Sequence, residues 1–261
     1  MRLTALTLLL VLASIASLIL VRSHISYAAQ DRVHIAEGSS SQHWVGTDDL
    51  GRDRGVRVAA ALLLGLAGAI AASALGAIIS AAVGVTAAFA SRSIASVLMY
   101  VTDLFLTLPW LFLLIMVRAA LPLTLSPLRS AAVTFFLLAI LGWPAYAGVS
   151  YARASVVRDA EWLIHARAAG LRNSQLALRH VLPHLLPLLL SQFLIYIPAC
   201  LVAEANLGTM GLGISEPLPS WGSMLQSLSS TATLSGSHWV YLPNILLVAM
   251  LLLLEMLLFE A

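Results

Sequence analysis

The sequence predicts an all-α integral membrane protein, and three observations carry that prediction. Of its 261 residues 60% are apolar and only 10% are charged, a composition that leaves a water-soluble domain too little polar surface. The apolar residues are gathered into six long runs rather than scattered. Each run approaches or exceeds the roughly 20 residues a helix needs to cross about 30 Å of hydrocarbon.

The runs lie at 3–21, 64–90, 94–118, 130–152, 182–203 and 238–259. They divide the chain into an N-terminal transmembrane anchor (1–22), an external loop (23–63) and a transmembrane core (64–261). Within the core, long connections fall at 158–181 and 204–237. Arg2 and the small-residue segment Ser26-Tyr27-Ala28 imitate a secretory leader. The apolar stretch between them is long for a leader, so an uncleaved anchor is expected. In the second run small residues recur every fourth position at Ala72, Gly76, Ser80, Gly84 and Ala88. Such a stripe lets a second backbone come close; packing within the chain is the expectation, and a subunit contact is the alternative.

Charge excludes several functions. All 14 basic residues are arginine, and a P-loop needs a lysine on the nucleotide phosphates, so the chain is not itself a P-loop ATPase. Its one cysteine, Cys200, lies in an apolar run and offers neither a disulfide nor a cysteine metal site. Orientation should follow from arginine asymmetry. With the N-terminus in the cytoplasm, Arg2, Arg92, Arg153, Arg158, Arg167, Arg172 and Arg179 fall inside. Arg22, Arg32, Arg52, Arg54, Arg57, Arg118 and Arg129 fall outside, an even split. The local density at 153–179 favours that loop as cytoplasmic.

That loop reads as a short helix over 159–170, with Asp159 as its N-cap and Gly170 as a left-handed C-cap. A second helix starts near Asn173 or Ser174 and runs to a break at Pro183. Two short helices joined by a glycine elbow make a knob that a soluble partner can grip.

Here the sequence resembles the permeases of binding-protein-dependent ABC importers, specifically the second permease of the dipeptide, oligopeptide and nickel branch. The family pattern of Glu-Ala-Ala, a following Gly and a later Leu-Pro is met by Ala166, Gly170, Leu182 and Pro183. It is departed from at Ile164, where the acid is expected, and at His165. Gly46-Thr47-Asp48-Asp49-Leu50-Gly51-Arg52-Asp53 resembles the signature that precedes the family's second span. Asp103 with Pro109, then Gly142-Trp143-Pro144, resemble its third and fourth spans. Ala203-Glu204-Ala205, Gly211-Leu212-Gly213 and Pro217 through Trp221-Gly222 resemble its loop after the fifth. These matches run in order from about 43 to 226.

The resemblance implies a type I ABC importer permease fold in the bacterial cytoplasmic membrane, with a cytoplasmic coupling helix. It implies a second permease as heterodimeric partner, two ABC ATPase subunits and an extracytoplasmic solute-binding protein. No nucleic acid, catalytic residue, metal or cofactor is expected on this chain, ATP and magnesium being held by the partners. Coupling would fall to Asp159, Glu161, Trp162, Leu163, Ala166, Arg167, Gly170 and Pro183, with Trp162, Leu163 and Ala166 as the docking surface.

Charges inside a membrane are costly and mark a pathway or a satisfied structural pair. Asp103 and Glu204 are the two such charges singled out, with a structural role placed ahead of substrate contact. Thr47, Asp48, Asp49, Arg52 and Asp53, with Trp221, form the external-loop set. An internally paired loop is favoured there over a contact for the binding protein. Pro183, Pro187 and Pro198 interrupt the fifth run. His180 and His184 are spaced like zinc ligands on one helix face, but the acid of a His-Glu-x-x-His site is absent and Pro183 intervenes. An intramembrane metal-dependent hydrolase is thus disfavoured. A self-sufficient secondary transporter is the other rival, and the internal repeat such folds show is not found. His24, His34 and His43 in the external loop lack a metal-ligand spacing. Substrate identity, whether peptide, nickel or another solute, is not legible.

Overall fold

The computed structural model describes residues 2–23, 25–122, 125–227 and 238–258. His24, segment 228–237 of the second long loop and residue 259 of the last apolar run lie outside the described residues. The architecture is all-helical, and among the described residues the only strand-like pairing is an isolated bridge between Thr47 and Asp53.

Helix α1 (Arg2–Arg22) is followed by a loop and then by α2 (Arg54–Phe89), the longest element at 36 residues. Helix α2 starts at Arg54 rather than at 64, where the apolar run begins. The cause is local: the Asp53 side chain accepts the Val56 N–H at 2.8 Å, an N-cap that lets the polar turn Arg54–Arg57 join the helix.

The third and fourth apolar runs are each a bent pair instead of one straight span. Helices α3 (Arg92–Thr107) and α4 (Trp110–Ala120) meet at 85°. Leu108, which precedes Pro109, is forced to extended geometry with ψ 134°. Helices α5 (Pro127–Gly142) and α6 (Pro144–Arg158) meet at 44° around Trp143 and Pro144. Four helical stretches are long and apolar enough to cross a membrane, and the count is up to six if each bent pair is one span.

After α6 come α7 (Glu161–Ala168) and α8 (Asn173–Leu176), then a π-helical turn (Ala177–Val181) leading into α9 (Leu182–Thr209). The break expected at Pro183 is absent, and 173–209 runs as one helical stretch. In the π turn the Leu182 N–H bonds Ala177 O, five residues back, so the backbone is already widened where proline lacks a donor. Pro187 and Pro198 are carried inside α9. Helix α10 (Trp221–Ser227), a 3₁₀ turn (His238–Tyr241) and α11 (Leu242–Leu258) are the remaining elements among the described residues.

Helix α2 is the central post, packed against α1, α5, α6 and α9. All five residues of its small stripe are buried within the chain, which explains the stripe without a second subunit. A Cβ on Gly84 would stand 2.7 Å from Ser150 Cβ, so glycine is what lets α6 approach. Beside it Ser80 Oγ meets Ser150 Oγ at 3.0 Å, and Gln192 Nε2 donates to Ser150 Oγ and to Tyr146 O, both at 3.3 Å. These bonds link α2, α6 and α9. Each such bond between membrane helices contributes about 0.6 kcal/mol.

Candidate functional site

The bundle has two differently built ends. The loop before α2 and the segment after α9 share one end; α7, α8 and the final turns of α2 and α6 share the other.

At the α7 end, the sequence places the helix at 159–170, and the structure confines it to Glu161–Ala168. Asp159 is not its cap. The Asp159 carboxylate is taken by Arg158 in a two-pronged pair at 2.7 and 2.8 Å, and that guanidinium holds it below its ordinary range. Ala160 stands at the N-cap position without a side-chain bond. Arg158 also donates through Nη1 to Ala88 O at 2.5 Å, tying the end of α6 to the end of α2. Gly170 takes φ +92°, the left-handed geometry that turns the chain from α7 towards α8.

Leu163 is fully buried, packed in a cluster with Ala88, Ala154, Val157, Leu176, Val181 and Leu185. The docking role expected for Leu163 from sequence is therefore corrected: it is the peg that anchors α7, and Ala166, expected beside it on that surface, packs against the same cluster. The exposed residues of α7 are Glu161, Trp162, Ile164, His165, Arg167 and Ala168. Ile164, at the position where the family pattern places an acid, is 51% exposed. Trp162 stacks on His184 with ring centroids 5.0 Å apart and meets His180 edge-on at 6.1 Å. The two histidines thus serve Trp162. Pro183 lies between them in the first turn of α9, and among the described residues no group of three or more potential metal ligands is found.

At the opposite end, 46–53 folds as a tight hairpin. Asp48 Oδ1 accepts the Leu50 and Arg52 N–H groups, both at 2.9 Å, and Asp48 Oδ2 accepts Arg52 Nε at 2.7 Å. Gly51 takes φ +73°, and a Cβ there would stand 1.9 Å from Asp31 O. Thr47 is fully buried, donating to His34 O and accepting the Glu37 N–H. Asp53 both caps α2 and bonds His43 Nδ1 at 2.8 Å. Asp49 lines a small cleft with Arg54 and Ser223. This is the paired loop.

Its main partner was not foreseen. Glu216 receives Arg52 Nη1 at 2.7 Å and Arg57 Nη2 at 3.0 Å, so the segment after α9 is stapled to the start of α2. Arg57, 4% exposed, also donates to Tyr27 O and Pro217 O. Trp221 does not project from an external loop. It is fully buried next to Gly65, and α10 packs on α9, α2 and α11. Gly208 and Gly222 meet backbone to backbone, a Cβ on Gly208 falling 2.3 Å from Gly222 Cα.

The two intramembrane carboxylates differ. Glu204 is 1% exposed and lies against the Ser220 side chain and the backbone of Trp221 and Gly222. None of these reaches it with good hydrogen-bond geometry. Asp103 sits on an exposed face of α3, and among the described residues nothing bonds it. Arg118, counted from sequence among the arginines outside, belongs to α4 and is 1% exposed. Its Nη2 donates to Ser130 Oγ at 3.0 Å and Gly213 O at 3.2 Å.

A bundle with four to six helical stretches long and apolar enough to cross a membrane is that of a multi-pass membrane protein. The chain belongs to the family of binding-protein-dependent transport system inner membrane components, which matches residues 78–261. It is thus a channel-forming permease subunit of an importer, a class that works with an ATPase and a solute-binding protein.

Relatives include a putative peptide permease protein of Brucella suis, 29% identical over 212 residues, 81% of this chain and 68% of that one. A dipeptide transport system permease protein of Alkalihalophilus pseudofirmus is 28% identical over 217 residues, covering 83% and 69% of the two chains. A glutathione transport system permease protein of Pectobacterium atrosepticum is 28% identical over 220 residues, covering 84% and 70%.

Proposed function

We propose that the chain is one of two permease subunits of an ATP-driven importer in the bacterial cytoplasmic membrane, coupled to its ATPases through α7. Its neighbours would be a second permease, two ATPase subunits and an extracytoplasmic binding protein. The N-terminus faces the cytoplasm, so that α7 and the arginines at 153, 158, 167, 172 and 179 lie inside. The stapled 46–57 hairpin and α10 then face outward. Relatives named for peptides, dipeptides and glutathione favour a peptide or a solute of similar size.

The observation that carries this reading is the division of labour on α7: Leu163 is buried as a peg, whereas Trp162 and Ile164 are 42% and 51% exposed. An apolar side chain held out from a short anchored helix fits a groove on a soluble partner better than open water. ATP and magnesium stay on the ATPases, and this chain contributes no catalytic group. Closure of the ATPases would displace α7 and, through the buried cluster, the ends of α2, α6 and α9.

Asp103, unpartnered among the described residues, is assigned to the path or to the second permease, since a lone carboxylate facing lipid is costly. Glu204 is assigned a structural role under α10. Purification of the tagged chain from its native membrane tests the assembly. A P-loop ATPase and a second permease should co-purify, whereas solute uptake by the chain alone in liposomes would instead establish a secondary transporter.

A further inference from the structure

Helix α7 is short, and its covalent route to α9 runs through the Gly170 elbow and α8. A turn of that kind transmits displacement poorly. A second route is direct. The Trp162 indole lies on the His184 ring at 5.0 Å with 26° between planes, and its edge meets His180 at 6.1 Å. His184 is held in register for this stack, because its Nδ1–H donates to His180 O at 2.9 Å. His180 belongs to the π turn and His184 to the first turn of α9. One ring on α7 therefore grips two consecutive turns at the base of the fifth span.

The location gives the grip leverage. Pro187 lies just beyond His184 and Pro198 farther along. Each removes a backbone donor, so α9 bends more easily above the clamp than an unbroken helix would. The other large contact, Leu163, inserts into a cluster shared by α2, α6, α8 and α9 and does not single out one span.

We infer that Trp162, His180 and His184 form a clamp that passes movement of α7 specifically into α9, with Trp162 and His184 as positioning residues for transport. This inference rests on the coupling reading of α7. An aromatic pair contributes about 0.5–1.5 kcal/mol beyond its area, so its loss should change coupling severalfold rather than abolish assembly.

The test uses the complete importer, both permeases and ATPases, reconstituted in liposomes with its binding protein, measuring solute uptake and ATP hydrolysis together. His184→Ala should lower uptake per ATP hydrolysed by about two- to tenfold while hydrolysis continues. His184→Phe, which keeps a ring over the indole, should recover most of that loss. Trp162→Leu, which removes the ring from the other partner, should repeat the alanine result and serves if His184→Ala does not assemble. An unchanged uptake-to-hydrolysis ratio in the variants that assemble would overturn the clamp, as would a His184→Phe protein as defective as His184→Ala. A cysteine at Ile164, cross-linked to the ATPase in the same preparations, separates the two levels. Cross-linking with an unchanged ratio sinks the clamp alone, and absence of cross-linking in the otherwise unsubstituted importer sinks the coupling reading itself.

Discussion

Arg57 Nη2 and Glu216 Oε1, 159 residues apart in the chain, stand 3.0 Å from each other. Arg57 is almost wholly buried and Glu216 is half exposed, so the pair straddles the surface. Removing the carboxylate leaves a buried guanidinium with backbone carbonyls and the more distant Asp48, at 3.8 Å. Glu216→Ala should therefore lower stability by about 1.5–3 kcal/mol, the value of a hydrogen bond to a charged group. Thermal unfolding of the purified chain checks this, and an unchanged midpoint would show the staple to be idle.

Leu163 and Ile164 are neighbours with opposite duties. Leu163→Ala should cost about 2–5 kcal/mol, the range for a fully buried leucine, and should expose α7 to proteolysis. Ile164→Ala should leave unfolding unchanged and weaken ATPase binding. A binding titration alongside a melting curve separates the two, and matching behaviour in both assays would contradict the assignment.

Gly84 marks where α2 and α6 touch. An added Cβ would fall 2.7 Å from Ser150 Cβ and equally close to Tyr151 N, and backbone cannot swing aside. Gly84→Ala should cost about 1–3 kcal/mol through overpacking, read as a lower melting temperature. Gly148→Ala, with open space around it, is the control expected to change little.

These three sites show how far the sequence was readable. Apolar run lengths located the spans, and the order of motifs located the family, because both are one-dimensional signals. The 85° bend was not read from Pro109, since one proline is compatible with a kinked or a broken helix. Glu216 stood next to the noted Pro217, but its partners lie far away in the chain, and no local pattern predicts an ion pair at that range. Leu163 was placed on the wrong side of α7 because eight residues give too few turns for a helical face to declare itself.

The loop before α2 carries a titratable pair outside the spans. His34 Nδ1 and Asp31 Oδ2 are 2.7 Å apart. The bond to Asp31 raises the His34 value above its ordinary 6.5, and the same bond lowers Asp31 below 3.8. Other ionisable groups facing His34 are Glu37, at 4.0 Å, and the His43 ring, at 6.2 Å. A raised histidine favours the fold fully below 6.5 and loses that contribution as pH rises through its folded value. A lowered aspartate contributes above 3.8 and loses it as pH falls. The pair therefore contributes fully between those two values. In ring titrations by NMR, the His34 midpoint should lie above 6.5 and fall in Asp31→Asn; a midpoint indifferent to that change would disprove the pairing.

The most direct measurement is site-specific cross-linking from α7 in the assembled importer. Cys200 is the only cysteine and is buried, so Cys200→Ser gives a clean background. A cysteine at Ile164 should form an adduct with a P-loop ATPase, and its yield should change when ATP binds. A cysteine at Leu163, buried in the chain's own cluster, should not. Absence of any ATPase adduct from Trp162, Ile164, His165 or Arg167 positions, in a complex that still imports solute, would contradict the account.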